Sequence, residues 1–240
     1  MAMVEPWMPD RIDGAGPILL LCDHASNAVP PGVDLGIDAD LLNRHIAIDI
    51  GAAALTRALA GLLGAPAILA TVSRLVIDLH REPDRADLIP LASDGHAIPG
   101  NMGADRAGRI ARFHAPYHCI VSGAIDAHRP RLIVAIHSFT PALETGSAPR
   151  PWEIGILYNR DARAARLAID LLARDGAIVG DNQPYSGRDL NTTLNRHAEA
   201  RGIASFAVEM RNNLIDTDAG VAAWAGRLAP ILTQIVAQMA

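Results

Sequence analysis

Short apolar runs that stop abruptly at polar clusters recur along this chain. Pro17 to Cys22 (PILLLC) is wholly apolar and gives way at once to Asp23-His24-Ala25-Ser26-Asn27. A run of that length without alternation predicts a strand buried on both faces, with the polar residues at its carboxyl end. Ala67 to Leu79 predicts a second strand region running into Asp78-Leu79-His80-Arg81, and Leu132 to Ile136 a third, followed by His137-Ser138. Glu153 to Leu157 predicts a fourth strand, Gly176 to Gly180 a short one, and Ala204 to Val208 the last, which ends at Glu209. Helical spacing of apolar residues predicts helices over Leu41 to Leu63, Ala162 to Arg174, Leu194 to Ala200 and Asp218 to Met239. A further helix is expected from Arg106 to His128, broken or shifted near Pro116. Leu88 to Gly103 is Pro/Gly-rich and predicts a loop or flap, and Asp181 to Leu190 is rich in turn residues.

Strands alternate with helices from one end to the other, which predicts a three-layer α/β sandwich around a mixed, mostly parallel sheet. No repeat or low-complexity linker interrupts the pattern, so one domain over residues 1–240 is expected. In such sheets ligands bind beyond the carboxyl ends of the strands. Four of the apolar runs end in His24, the Asp78 to Arg81 group, His137 and Glu209, and that recurrence is the strongest pointer to function.

Composition narrows the choice. At 240 residues, half of them hydrophobic, the chain can bury a sizeable core. A formal net charge of −5 argues against sequence-independent nucleic-acid binding, which needs a basic face. Cys22 and Cys119 form no C-x-x-C pair and are expected as two buried, reduced thiols. The first residues lack the basic segment and apolar run of a signal peptide, and no apolar stretch is read as approaching the roughly 20 residues that span a bilayer. A cytoplasmic protein acting on a small molecule, with no membrane or nucleic-acid partner and compatible with homo-oligomer formation, is therefore expected.

His24 and His137 occupy matching positions after apolar runs, where imidazoles can face a crevice. A catalytic zinc takes three protein ligands and keeps one position for water. Asp49 is placed ahead of Asn27 as third ligand, because a carboxylate is a charged oxygen donor and an amide is not. Glu209, a carboxylate at a buried strand end, is read as the general base. Arg81 is assigned to substrate or oxyanion binding, Arg74 to a supporting role and Asp78 to orienting one of them. Tyr185 and Arg188 could close over a substrate from the turn-rich stretch; Ser138 joins the substrate-binding set, and Tyr117 with His118 is read as an ordinary buried pair.

The segments CDHASNAVP, SRLVIDLHREPD, PYH, AIHSFTP, QPYSGRDLNTTLNRHAEARG and FAVEMRNNLI together resemble the N-formylglutamate amidohydrolase family, from about Ile18 to Leu214. The resemblance implies a fold like that of the zinc carboxypeptidases, about one zinc per chain (another divalent ion is chemically compatible), and hydrolysis of an N-formyl or other N-acyl acidic amino acid. It also implies that His24 through Asn27 is similar to an H-x-x-E ligand motif with Asn where the acid should be, that Ile136-His137-Ser138 carries the second ligand, and that Phe206 through Arg211 carries the catalytic glutamate. Asp78 through Arg81 is similar to a D-L-N-R motif with His80 replacing Asn. The competing reading is a non-catalytic domain that keeps the fold and binds a carboxylated metabolite, with Asn27 marking lost metal affinity.

Overall fold

The computed structural model describes residues 7–146 and 148–239. In chain order it runs β1 (Asp10–Ile12), β2 (Ile18–Cys22), α1 (Ala52–Leu63) and β3 (Ala67–Leu69). A small hairpin of β4 (Ala92–Ser93) and β5 (His96–Ala97) follows, then α2 (Arg106–Arg109), α3 (Ala115–His128) and β6 (Leu132–Phe139). The remainder is β7 (Ile154–Leu157), α4 (Arg163–Arg174), β8 (Val179–Asp181), α5 (Thr192–His197), β9 (Ala204–Arg211) and α6 (Asp218–Gln238). Seven strands make one sheet in the order β1-β3-β2-β6-β9-β7-β8. Strands β3, β2, β6 and β9 are mutually parallel, whereas β1 and β7 run antiparallel to their neighbours β3 and β9. The mixed, mostly parallel sheet expected from the alternation of strands and helices is what forms.

Alternation along each strand sorts the side chains into two cores. Ile18, Leu20 and Cys22 of β2, Leu132, Val134 and Ile136 of β6, and Phe206, Val208 and Met210 of β9 pack with residues of α1, α4 and α6. Leu19, Leu21, Ile133, Ala135 and Ala207 point the other way, against Phe113, Tyr117, Val121 and Ile125 on the α3 side. Each layer seals one face of the sheet, so runs such as ILLLC need no polar face at all. Cys22 is buried as expected, but Cys119 is exposed on α3.

Several boundaries differ from those expected. The helix placed at Leu41 to Leu63 begins only at Ala52, preceded by a 3-10 turn at Ala39–Asn43. Gly51 breaks it: its φ is +79°, and a Cβ there would lie 2.1 Å from the Ile215 carbonyl oxygen. Asp49 therefore sits in a loop and not on a helix. The strand region Ala67 to Leu79 is a strand only to Leu69, because β2 ends at Cys22 and offers no partner beyond it. Leu75, Val76, Ile77 and Leu79 instead turn into the α3-side core, around a bend in which Ser73 Oγ donates to the Ala47 carbonyl. The expected shift near Pro116 is a π turn, Ile110–His114, joining α2 to α3, which accommodates the backbone donor that proline lacks. The Leu88 to Gly103 stretch holds the β4–β5 hairpin. Strand β6 outruns its expected end, so His137 and Ser138 lie within it.

Helix α6, at 21 residues, is long and apolar enough by composition to cross a membrane, contrary to the reading of the sequence. Here Trp224, Leu228, Leu232 and Ile235 are spent on the core beside α1 and α4, and Arg227 ion-pairs with Asp175 at 2.7 Å.

The two left-handed glycines flanking α1 separate steric from conformational cost. Gly64→Ala, with φ +59° and nothing within 4 Å of the new methyl, should cost about 1 kcal/mol. Gly51→Ala must also displace the Ile215 backbone and should cost at least about 2–3 kcal/mol. Urea unfolding of the two variants checks the order; equal losses would contradict the packing argument.

Candidate active site

Strand alternation delivers the first functional groups. Leu21 and Ala135 are paired across β2 and β6, and two residues on from each stand Asp23 and His137. On the next strand Glu209 is in register with His137. All three share the parity of Leu21, Ala135 and Ala207 and so lie on the α3 side of the sheet. The chain leaves β2 for β3 on one side and leaves β6 for β7 on the other, so the gap between these neighbours is a topological switch point. A cavity of about 500 Å³ opens there, lined by His24, Asp49, Arg74, His80, Arg81, His137, Ser138, Tyr185 and Glu209, among others.

His24, Asp49 and His137 converge at the floor. The two Nδ1 atoms lie 3.2 Å apart, and Asp49 Oδ2 is 3.3 Å from that of His24 and 2.9 Å from that of His137. Ligands about 2.0–2.1 Å from a tetrahedral zinc stand about 3.3 Å from one another, so these separations match the edges of such a site. The remaining ring nitrogens face other carboxylates. His24 Nε2 is 2.8 Å from Asp78 Oδ1, and His137 Nε2 is 3.2 Å from Asp23 Oδ2, although off the hydrogen-bonding line. A carboxylate behind each imidazole favours the proton on Nε2 and leaves the Nδ1 lone pair for a cation. Two imidazoles and one carboxylate with these outer partners fit zinc.

The same crowding shifts the proton affinities of His24, His137, Asp49 and Glu209. Burial opposes charge on His24, but Asp78 and Asp49 outweigh it and raise its pKa. Burial likewise opposes charge on His137, and Asp23 and Asp49 raise it well above the ordinary value. Burial would push Asp49 up, yet the two histidines hold it far below the usual carboxylate range. Glu209 behaves oppositely: burial, reinforced by Asp49, pushes it up to about 7 despite His137, and its Oε2 is buried without a hydrogen-bond partner among the described residues.

The other expected site residues divide. Arg74 spans the floor, donating from Nη1 to Asp49 at 3.2 Å and from Nη2 to Asp78 at 2.9 Å. Asp78 thus orients both Arg74 and His24. Arg81 also lines the cavity, but its Nε donates to Asp87 at 3.1 Å and it lies 3.9 Å from Asp78. The more central arginine is therefore Arg74, the reverse of the order expected. Ser138 donates from Oγ to the Ile50 carbonyl at 2.8 Å, fastening the Asp49 loop to β6. Tyr185 reaches the cavity wall, whereas Arg188 is exposed and does not line it, because its turn directs it outward. Asn27 donates to Asn43 at 3.0 Å and stands outside the trio.

Two carboxylates escaped the sequence reading. Asp23 is a hub that accepts from Tyr117 Oη at 2.7 Å and Thr193 Oγ1 at 3.0 Å, with His80 Nδ1 at 3.1 Å. Its place beside His24 was a usable signal. Tyr117 therefore does more than pair with His118, whose Nδ1 lies 2.8 Å from His197. At the rim, Asp94 accepts from the backbone of Glu144 and Thr145 at 2.8 and 3.1 Å, with His45 Nε2 at 2.8 Å, joining the β4–β5 hairpin to the loop after β6. Nothing in local spacing links those residues.

The profile of the N-formylglutamate amidohydrolase family matches residues 16–216. No curated protein matches the chain. Among solved structures, a gene product of Agrobacterium tumefaciens is 32% identical, with a TM-score of 0.91 over 97% of this chain and 96% of that one. An N-formylglutamate amidohydrolase from Ralstonia eutropha JMP134 is 18% identical, with a TM-score of 0.71 over 98% and 96% of the two chains. A bacteriophage poly-gamma-glutamate hydrolase is 12% identical, with a TM-score of 0.50 over 98% and 91%. The last two likenesses are of fold.

The geometry makes distinct demands on zinc affinity, measured by competition with a chromogenic chelator. Asp49→Ala should abolish tight binding, Asp78→Asn should weaken it about 10- to 100-fold, and Asn27→Ala should leave it unchanged. A loss with Asn27→Ala equal to that with Asp49→Ala would return the amide to the ligand set.

Glu209 also makes a prediction for the metal-free protein. Its folded pKa is raised above the unfolded value, so the folded state holds the extra proton and stability falls as pH rises from about 4.5 to about 7. Glu209→Gln removes that penalty. Its melting temperature should exceed the wild type's at pH 8 and match it near pH 4; a gap that widens toward acid would refute the assignment.

Proposed function

Because the chain belongs to the N-formylglutamate amidohydrolase family, we propose that it is a zinc-dependent hydrolase of the amide bond in an N-formyl, or other N-acyl, acidic amino acid. The observation that carries this reading is the paired imidazoles whose Nδ1 atoms face each other and Asp49 while Asp78 and Asp23 stand behind their Nε2 atoms. Amide hydrolysis is the family's chemistry; the metal and the substrate are what we add. The non-catalytic alternative rested on Asn27 as a lost ligand, and it weakens because Asp49 stands beside both histidines.

Zinc held by His24, Asp49 and His137, when bound, supplies a Lewis acid that lowers the pKa of a water toward about 7 and polarises the scissile carbonyl. Glu209 is adjacent in register to His137 and has an oxygen with no partner among the described residues, which supports its role as the base that takes the proton of the attacking water. The same carboxyl can then deliver that proton to the departing amine, which leaves as the free amino acid while the acyl group leaves as formate or a longer carboxylate. Arg74 holds Asp49 and Asp78 in place and presents positive charge to the cavity, where it favours an oxygen that gains negative charge in the transition state. Asp23, tied to Tyr117 and Thr193, fixes the orientation of His137 from behind.

Formate release from N-formylglutamate tests the proposal directly. Activity should vanish after chelator treatment and return with zinc, and Glu209→Gln should lose at least about 10²- to 10⁴-fold in kcat while retaining zinc. Full activity in a protein shown to be metal-free would overturn the zinc mechanism, and inactivity toward all N-acyl acidic amino acids would overturn the substrate.

A further inference from the structure

The segment that carries Asp78 is held by side chains in place of a sheet. Beyond Leu69 the chain leaves β3, and residues 75–81 form an irregular strap packed into the α3-side core. Buried carbonyls must find donors. Asn101 Nδ2 donates to the Leu75 carbonyl at 2.8 Å, and Arg109 Nη1 donates to that of Val76 at 2.7 Å. His118 Nε2 donates to the Leu79 carbonyl at 3.1 Å, and His114 Nε2 donates to that of Arg81 at 3.0 Å. The two imidazole anchors follow directly on Asp78, whose Oδ1 stands 2.8 Å from His24 Nε2.

The hydrogen bonds fix which nitrogen of each ring carries the proton. A carbonyl only accepts, so His118 has its proton on Nε2 and accepts at Nδ1, where His197 Nε2 donates from 2.8 Å. The His114 ring lies against that of His118, with centroids 4.2 Å apart. All three rings are buried, and burial lowers the pKa of His118 to about 2 and that of His197 to about 4. Both therefore stay neutral, as this chain of donors requires. Tyr117, beside His118, donates to Asp23, the carboxylate behind His137. Helix α5 repeats the arrangement: Thr193 donates to Asp23 and His197, four residues on, donates to His118. One face of α3, backed by one face of α5, thus reaches both carboxylates that stand behind the paired imidazoles.

We propose that His118, backed by His197, is a positioning residue for the metal site. It holds the strap so that Asp78 stays against His24 Nε2 and the His24 Nδ1 lone pair faces the ion. The inference rests on the zinc reading above and extends it to residues behind the cavity wall.

Zinc affinity, measured by competition with a chromogenic chelator, tests this beside melting temperature. His118→Leu should weaken zinc binding about 3- to 10-fold, less than Asp78→Asn because it acts through that carboxylate. His118→Gln, whose amide offers a donor and an acceptor, should recover most of the loss, and His197→Phe should weaken binding several-fold. The double variant His118→Leu/Asp78→Asn should bind no more weakly than Asp78→Asn alone, since both break the same path. Val121→Ala is the structural control: it thins the packing of the same helix and should lower the melting temperature with zinc affinity unchanged. Affinity within twofold of wild type in His118→Leu, losses that add in the double variant, or an equal loss in Val121→Ala overturns the proposal and leaves the zinc reading intact. If His118→Leu does not fold, His197→Phe carries the same cycle with Asp78→Asn. If the wild type binds no zinc, the zinc reading fails by itself, and crystal structures of wild type and His197→Phe decide. Asp78 displaced from His24 in the variant supports the positioning role, and the 2.8 Å contact kept in both overturns it.

Discussion

The buried carboxylates at the carboxyl ends of the central strands are the constraint on which the rest of the site depends. Asp23, Asp49, Asp78 and Glu209 are almost wholly withdrawn from solvent, and each such charge costs several kcal/mol unless it is compensated. Arg74 serves two of them at once, His24 lies between the same two, and His137 lies between Asp49 and Asp23. In the metal-free protein this leaves two imidazole nitrogens crowded against each other, a contact that at most one shared proton can relieve. A divalent cation relieves it completely, because both lone pairs and the Asp49 oxygen can then point at positive charge. The donor atoms of the floor are therefore spaced as a metal ion would need them.

Backbone features make that crowding achievable. Asp23, His137 and Glu209 share one face because strands alternate, and β6 and β9 stay paired through Phe139 and Arg211, which carries two of the three beyond any fraying end. Gly51 lets the chain turn sharply after Asp49 and press against Ile215. On β7, Gly155 stands opposite Glu209, and a Cβ there would lie 2.0 Å from the Gln183 carbonyl oxygen. The turn-rich stretch that carries Tyr185 can thus pack down beside the Glu209 carboxylate.

What was legible in the sequence followed from short-range physics. Apolar runs buried on both faces announce themselves, and so did the groups at their ends: His24, His137 and Glu209 come together as expected. Asp49 was chosen on donor chemistry and does meet the histidines, although the helix on which it was placed is a loop, because spacing cannot reveal that Gly51 is pinned by a residue far along the chain. The same limit explains the arginines. Local order favoured Arg81, yet the chain leaves the sheet after Leu69, and the resulting bend turns Arg74 inward and gives Arg81 to Asp87. Arg188 looked like a lid residue from its turn alone, but a turn does not specify which of its side chains faces inward. Asp94 carries no local pattern; its partners are brought to it only by the fold.

Floor and rim differ in how they are held, and this bears on how one chemistry can serve several substrates. The floor groups sit on or beside central strands, where a one-residue slip would turn His137 and Glu209 to the opposite face. Rim groups sit on the β4–β5 hairpin and on the connections after β6 and β8, fastened by side-chain-to-backbone bonds such as those of Asp94 to Glu144 and Thr145. Such bonds are replaced one at a time without disturbing strand register, so residues there can change while the floor does not. Substrate choice is thus expected to be written in the rim.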